Sequence, residues 1–90
     1  KQEYIIKEYI VSSLRIDNVI SAITNNSRNQ VLDKFLNKEI LLNYEEDIKP
    51  TRTLRENDIF SIRKYGKYKF SKIIKTTKKG GLIIEVLQYK

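Results

Sequence analysis

The spacing of apolar residues changes period partway along this chain, and that change limits the folds open to it. Two sets of apolar residues recur at helical spacing: Ile16, Val19, Ile20 and Ile23, then Val31, Leu32, Phe35 and Leu36. Because residues three and four apart share one face of a helix, these sets predict two short helices at about residues 14–38. From residue 40 onwards the period is two, which is typical of strands.

Five segments have the composition or alternation of strands. They are Tyr4–Val11, Ile40–Asn43, Ile59–Arg63, Tyr68–Lys75 and Leu82–Tyr89. A turn at residues 65–67, with Gly66 at positive φ, and another at residues 79–81 join the last three, whereas residues 44–57 form a polar loop. We therefore predict an α+β fold in which two short helices, in the N-terminal half, pack on a small, mostly antiparallel sheet of about four to five strands, most of it at about residues 40–89.

Polar residues before each apolar stripe predict how the helices begin. Ser13 is a candidate N-cap of the first helix, and Asp17 in its first turn suits the positive end of the helix dipole. Ser27 and Gln30 have the spacing of a capping box, in which the serine hydroxyl accepts from the glutamine amide and the glutamine side chain reaches back.

Composition narrows the chemistry available to a single domain spanning residues 1–90. The chain lacks cysteine and histidine, so it has no disulfides, no thiol nucleophile and no imidazole base or ligand. The acidic run Glu45–Asp47 lacks the spacing of a calcium loop, and a solvated turn is the better interpretation. We expect no enzymatic activity, metal, cofactor or small-molecule substrate. With no membrane span or signal peptide in the sequence, a cytoplasmic location is expected, and because the chain opens on Lys1 without methionine, a C-terminal fragment of a longer protein is expected.

The positive charge of the chain is concentrated in its last third. Residues 1–60 carry nine Lys/Arg and ten Asp/Glu, whereas residues 61–90 carry nine Lys/Arg and one acid, Glu85. Eight of those cations lie between residues 63 and 79, interleaved with aromatic and branched residues. This asymmetry indicates a polyanionic partner, with nucleic acid first and an acidic membrane surface second.

Three short segments, together with a fourth downstream, resemble a known RNA-binding domain. Leu14–Asp17 and Ser27–Val31 are similar to the starts of its two helices, and Ile40–Asn43 is similar to the strand that follows. Asn57–Arg63 resembles the glycine–aspartate–x–aliphatic strand that closes its motif. In order and spacing these segments resemble the S-four domain, which is named after the fourth protein of the small ribosomal subunit.

Two further segments narrow the resemblance. With the lead-in Val11–Leu14 and the hairpin Arg63–Phe70, roughly residues 9 to 90 resemble the C-terminal portion of YlmH-like proteins, a bacterial family encoded among cell-division genes. The resemblance implies a target on the ribosome, either ribosomal RNA or a ribosome-bound transfer RNA. It also implies a role in translation or its quality control.

The candidate RNA contacts lie at the helices and the basic hairpin. They are Arg15, Ser27, Arg28, Asn29, Lys34, Lys38, Arg63, Lys64, Tyr65, Lys67 and Lys69. The resemblance implies that Arg15 and Arg28 hold phosphates with the help of free amides at the helix N-termini. The alternative for Arg15 is an ion pair with Asp17 that braces the helices. Lys34 and Lys38 share one helix face at i and i+4.

In the basic hairpin, Lys67 and Lys69 alternate with Tyr68 and Phe70. The period of two places the lysines on one face of the strand and the rings, as core residues, on the other. Tyr65, in the turn, is the better candidate for stacking on a base. Lysines at a sheet edge also prevent aggregation, but that role accounts for only two or three of the eight cations.

The function expected from these features is a monomeric, non-catalytic module that binds structured RNA through phosphate and shape. One alternative is a basic docking module for an acidic protein or, less favoured, an anionic membrane. Another is an RNA-targeting appendage of an RNA-modifying enzyme, because S-four domains are often fused to such catalytic domains.

Overall fold

A computed structural model describes all 90 residues and confirms the α+β fold. Its elements, in chain order, are β1 (Tyr4–Val11), α1 (Ile16–Thr24), α2 (Arg28–Leu36), β2 (Ile40–Leu42), β3 (Ile59–Ile62), β4 (Gly66–Thr76) and β5 (Leu82–Tyr89). The helix pair is therefore slightly shorter than residues 14–38, and the sheet extends beyond residues 40–89 because β1 belongs to it. Neither α1 nor α2 has the length and hydropathy that a membrane-spanning helix requires.

The five strands form one antiparallel sheet in the order β1-β5-β4-β3-β2. Both helices pack on one face, where 14 buried hydrophobic residues form the core. The other face carries no helix, and we call it the open face. The two sheet edges are β1 and β2.

Alternation along the strands divides side chains between these two faces. Tyr68 and Phe70 of β4 are buried in the core, as their alternation with lysines predicts. Tyr68 stacks on Phe60 of β3, its register partner, with ring centroids 5.5 Å apart. Lys67 and Lys69 have the opposite parity and lie on the open face, opposite Ser61 and Ile59 of β3.

The capping box at the start of α2 is confirmed. The Gln30 amide donates to Ser27 Oγ at 3.2 Å, and the Ser27 amide donates to Gln30 Oε1 at 2.8 Å. Both bonds satisfy amides that the first turn of a helix leaves without partners. The sequence prediction for this helix start is correct in its chemistry as well as its position.

The start of α1 differs from the prediction, because its N-cap residue is Arg15 and not Ser13. The Ile16 amide donates to the Arg52 carbonyl at 2.8 Å, and the Asp17 amide donates to the Pro50 carbonyl at 3.1 Å. The loop between β2 and β3 thus supplies the acceptors that a capping side chain provides elsewhere. Ser13 instead accepts from the Asn18 side chain at 2.6 Å.

Several turns contain residues in the left-handed region, among them the turns that follow β3 and β2. Gly66 has a φ of 139°, as predicted, but it is the first residue of β4, so the turn lies earlier, at residues 63–65, with Lys64 at φ 72°. After β2, Asn43 and Tyr44 have φ of 50° and 69° between paired residues Leu42 and Glu45. Positive φ at both central residues is the geometry of a type I′ turn.

Candidate nucleic-acid interface

The cations of the basic hairpin are not neutralised within the protein. Ion pairs in the whole structure involve Arg15, Lys34, Arg52 and Lys90. None of the eight cations between residues 63 and 79 lies within 4.0 Å of a carboxylate. The one acid of this region, Glu85, accepts a hydrogen bond from Ser71 at 2.7 Å. The charge asymmetry of the sequence therefore persists as a surface property of the fold.

The lysines of β4 line up on the open face. Lys69, Lys72 and Lys75 pair in register with Leu87, Glu85 and Ile83 of β5, and Lys67 follows the same alternation. These β5 residues point away from the core, because Ile84 and Val86 between them are fully buried. Two register shifts, between Phe70 and Lys72 and between Ile73 and Lys75, keep the later lysines on this face.

Four of the predicted contacts line a single open groove at the β2 end of the sheet. The groove has a volume of about 720 Å³, and its lining includes Lys38, Arg63, Lys64 and Tyr65. Main-chain pairing sets this geometry, because the Arg63 amide donates to the Glu39 carbonyl at 3.0 Å and joins the β3–β4 turn to the start of β2. Glu39 and Glu46 also line the groove and partly offset its positive charge.

Two contacts, with the groove residues Glu39 and Tyr65, place Lys34 beside this groove. Its ammonium is 3.8 Å from a Glu39 oxygen and 5.1 Å from the centroid of the Tyr65 ring. Lys38, however, does not share a helix face with Lys34. It lies beyond α2 with φ of 59°, in the left-handed position that commonly ends a helix, and its side chain therefore reaches the groove instead.

Arg15 has the internal partner that the alternative interpretation describes. Its guanidinium makes two hydrogen bonds to the Asp17 carboxylate, at 2.7 and 3.2 Å, and Asp17 is only 3% exposed. The first two amides of α1 are also occupied, by the carbonyls of Arg52 and Pro50. The free amides expected at this helix start are therefore absent, and Arg15 is placed to brace α1.

The start of α2 presents an exposed group of predicted contacts away from the groove. Ser27, Arg28 and Asn29 are exposed, and Arg28 has no carboxylate within 4.0 Å. The Ser27 hydroxyl oxygen serves the capping box. At 1.5 Å per residue, α2 separates Arg28 from the groove end of the helix by about 12 Å.

Tyrosines around the β4 lysines are a part of this surface that the sequence analysis missed. The Lys67 ammonium lies 4.3 Å from the ring centroid of Tyr89 and 5.3 Å from that of Tyr44. The Lys69 ammonium lies 5.3 Å from the ring centroid of Tyr4, whose ring meets Tyr89 edge-on at 4.9 Å. The signal available in the sequence was the tyrosine that begins β1, Tyr4, and the tyrosine that ends β5, Tyr89.

Burial changes the titration of one of these rings. It raises the pKa of Tyr89 above the ordinary value, and the neighbouring Tyr4 hydroxyl raises it further, while the Lys67 ammonium opposes both. Tyr89 is therefore neutral at physiological pH. The cluster of Tyr4, Tyr44, Tyr89, Lys67 and Lys69 combines aromatic and cationic side chains on one surface.

The segments that carry the family resemblance also have structural roles. Asn43 Oδ1 accepts from the Ile59 amide at 3.0 Å, and Asn43 Nδ2 donates to Asp58 at 3.0 Å. Asp58 accepts in turn from the Arg55 amide at 2.8 Å and from the Arg52 side chain. These bonds fasten the two segments together across the β2–β3 loop.

No protein-family model and no curated protein matches this chain.

Proposed function

We propose that this domain is a non-catalytic module that binds structured RNA on the ribosome, either ribosomal RNA or a ribosome-bound transfer RNA. The observation that carries the proposal is the row of cations from Arg63 to Lys79, none of which has a carboxylate partner and part of which lines one groove. Desolvating such a row against another protein would require matching carboxylates, whereas a phosphate backbone supplies regular negative charge.

The arrangement suits phosphate contacts more than base-edge readout. Lys38, Arg63 and Lys64 line an open groove of about 720 Å³. Lysine and arginine contacts to phosphate position an RNA without selecting a sequence. The resemblance to the S-four domain supports the same class of ligand. The proposal includes a role in translation or ribosome quality control and a cytoplasmic location.

Salt dependence tests this proposal directly. With about four phosphate contacts, log K for ribosomal RNA should fall by roughly 3–4 units per tenfold rise in salt. Filter binding or fluorescence anisotropy across a salt series measures that slope. A dissociation constant that barely changes with salt would refute phosphate binding.

A charge-reversal pair tests the site. The double substitution Arg63→Glu/Lys64→Glu should lower the salt slope by about 2 units, because each lost phosphate contact removes about one. The matched control is Lys7→Glu, an exposed cation of β1 on the helix-covered face, opposite Val86. We expect the control to bind RNA within about twofold of the unmodified protein. Equal losses in both variants would contradict the proposed site.

Anionic vesicles separate this function from membrane docking. Ribosomal particles and phosphatidylserine vesicles can be compared in one co-sedimentation experiment at physiological salt. We expect the protein to sediment with ribosomal particles and to remain in the supernatant with vesicles. Binding to vesicles alone would favour the membrane alternative.

A further inference from the structure

Tyr44 occupies a backbone position that suits a different residue. It is the second central residue of the Leu42–Glu45 turn and has a φ of 69°. Glycine is strongly preferred there, because a Cβ in the left-handed region meets the following carbonyl oxygen. A bulky aromatic residue at such a position is unfavourable for folding. Strain of this kind points to a role outside the fold.

The ring of Tyr44 is also exposed without structural need. Tyr44 as a whole residue is 64% exposed and belongs to no part of the core. Its hydroxyl accepts a hydrogen bond from Lys67 at 3.2 Å, and the same ammonium lies 4.3 Å from the centroid of the Tyr89 ring. Lys67 thus holds a largely free aromatic ring beside the cations of the open face.

An exposed ring next to a row of cations is how many proteins hold unpaired nucleotides, since every base has a face that can stack. We propose that Tyr44 and Lys67 form a site for one unpaired nucleotide of the bound RNA, with the base on the Tyr44 ring and its phosphate on Lys67. This inference rests on the proposed RNA binding and specifies that the RNA has an unpaired segment. Tyr65 is less suited, because it is only 40% exposed whereas Tyr44 is 64% exposed.

Two RNAs and three variants of Tyr44 test the site. The RNAs are a hairpin with an unpaired loop and a blunt-ended duplex with the same stem. Tyr44→Gly should weaken hairpin binding about tenfold and change duplex binding less than about twofold, because only stacking is lost. Tyr44→Phe keeps the ring and should bind both RNAs as the unmodified protein does. Tyr44→Asn, which tolerates the left-handed region, should repeat the glycine result.

Thermal unfolding accompanies each binding measurement. Tyr44→Gly should leave Tm within about 2 °C of the unmodified protein or raise it, because the backbone strain is relieved. Asn57→Gly is the matched control, since Asn57 is another exposed left-handed residue with φ of 74°. We expect this control to change neither RNA affinity.

The outcomes distinguish this site from the proposed function. If hairpin binding is unchanged in both Tyr44→Gly and Tyr44→Asn, the nucleotide site is wrong and RNA binding elsewhere on the domain still stands. Equal weakening of hairpin and duplex would also overturn base stacking at Tyr44. If the unmodified protein binds neither RNA, the proposed function itself is refuted.

Discussion

At the residue scale, Arg15 and Arg28 both lie at the start of a helix but have different surroundings. Arg15 is bonded to the buried Asp17 carboxylate, whereas Arg28 is exposed and has no acidic partner. A sequence pattern of arginine at a helix start therefore does not separate a bracing residue from a free one. The position of the neighbouring carboxylate in the structure distinguishes the two roles.

Alanine substitutions should separate these two roles. Arg15→Ala leaves the Asp17 carboxylate buried without its partner and should lower the free energy of unfolding by about 2 kcal/mol. Arg28→Ala should change it by less than about 0.5 kcal/mol, as exposed substitutions usually do, while weakening RNA binding several-fold. Urea unfolding at neutral pH measures the first quantity. Equal stability losses in both variants would contradict this assignment.

At the element scale, the start of α2 combines a structural and a proposed binding role in Ser27. Ser27→Ala removes the hydroxyl that accepts from the Gln30 amide and should cost about 1 kcal/mol of stability. Ser27→Asp keeps a capping oxygen and should preserve stability, but it sets a carboxylate beside Arg28 and should weaken RNA binding. Urea unfolding and RNA titration of both variants check this. If the Ser27→Asp variant binds RNA normally, the start of α2 is not part of the interface.

The helices and strands could be predicted from sequence because the core enforces their period. Val19 and Ile20 of α1 and Phe60 and Phe70 of the sheet are fully or almost fully buried, so their spacing had to match the element that carries them. The start of α1 could not be predicted in the same way. Its acceptors are main-chain carbonyls of the β2–β3 loop, and a carbonyl has no side-chain signature in the sequence.

Of the candidate site, the charges and Tyr65 were predictable from the sequence, but the other tyrosines were not. Alternation alone predicts the common face of Lys67 and Lys69. Lys72 and Lys75 lie on that face because of the two register shifts in β4, which the sequence pattern does not reveal. The aromatic neighbours of Lys67 and Lys69 come from strands that are distant in the chain, since the β1–β5 register brings Tyr4 opposite Tyr89. Tyr44 reaches Lys67 from the turn after β2. Such contacts depend on strand order, which no short segment encodes.

At the scale of the whole molecule, β1 is a free edge of the sheet with exposed apolar residues. Ile6 is 66% exposed and Ile10 is 70% exposed, on the open face opposite Leu87 and Ile83. Between them Lys7 and Glu8 are the only charged residues of the strand. Unpaired edges of this kind promote association between copies, and charged side chains oppose it.

Substitutions in β1 should shift that balance in opposite directions. Ile6→Lys should lower self-association at high protein concentration with little change in stability, because the side chain is already exposed. Lys7→Thr should raise self-association, because it removes a charge from the edge. Light scattering over a concentration series checks both variants. Identical scattering from the two would show that β1 is not the associating edge.

The carbonyls of Pro50 and Arg52 tie the β2–β3 loop to the first turn of α1, and Leu54 bonds to Leu14 beside them. The amides of that turn exchange with deuterium only when the loop detaches, because the loop carbonyls are their hydrogen-bond acceptors. A protease cut or an insertion within it would therefore loosen a helix that lies far upstream in the chain. The β2–β3 loop therefore couples the unfolding of segments that are distant in the chain.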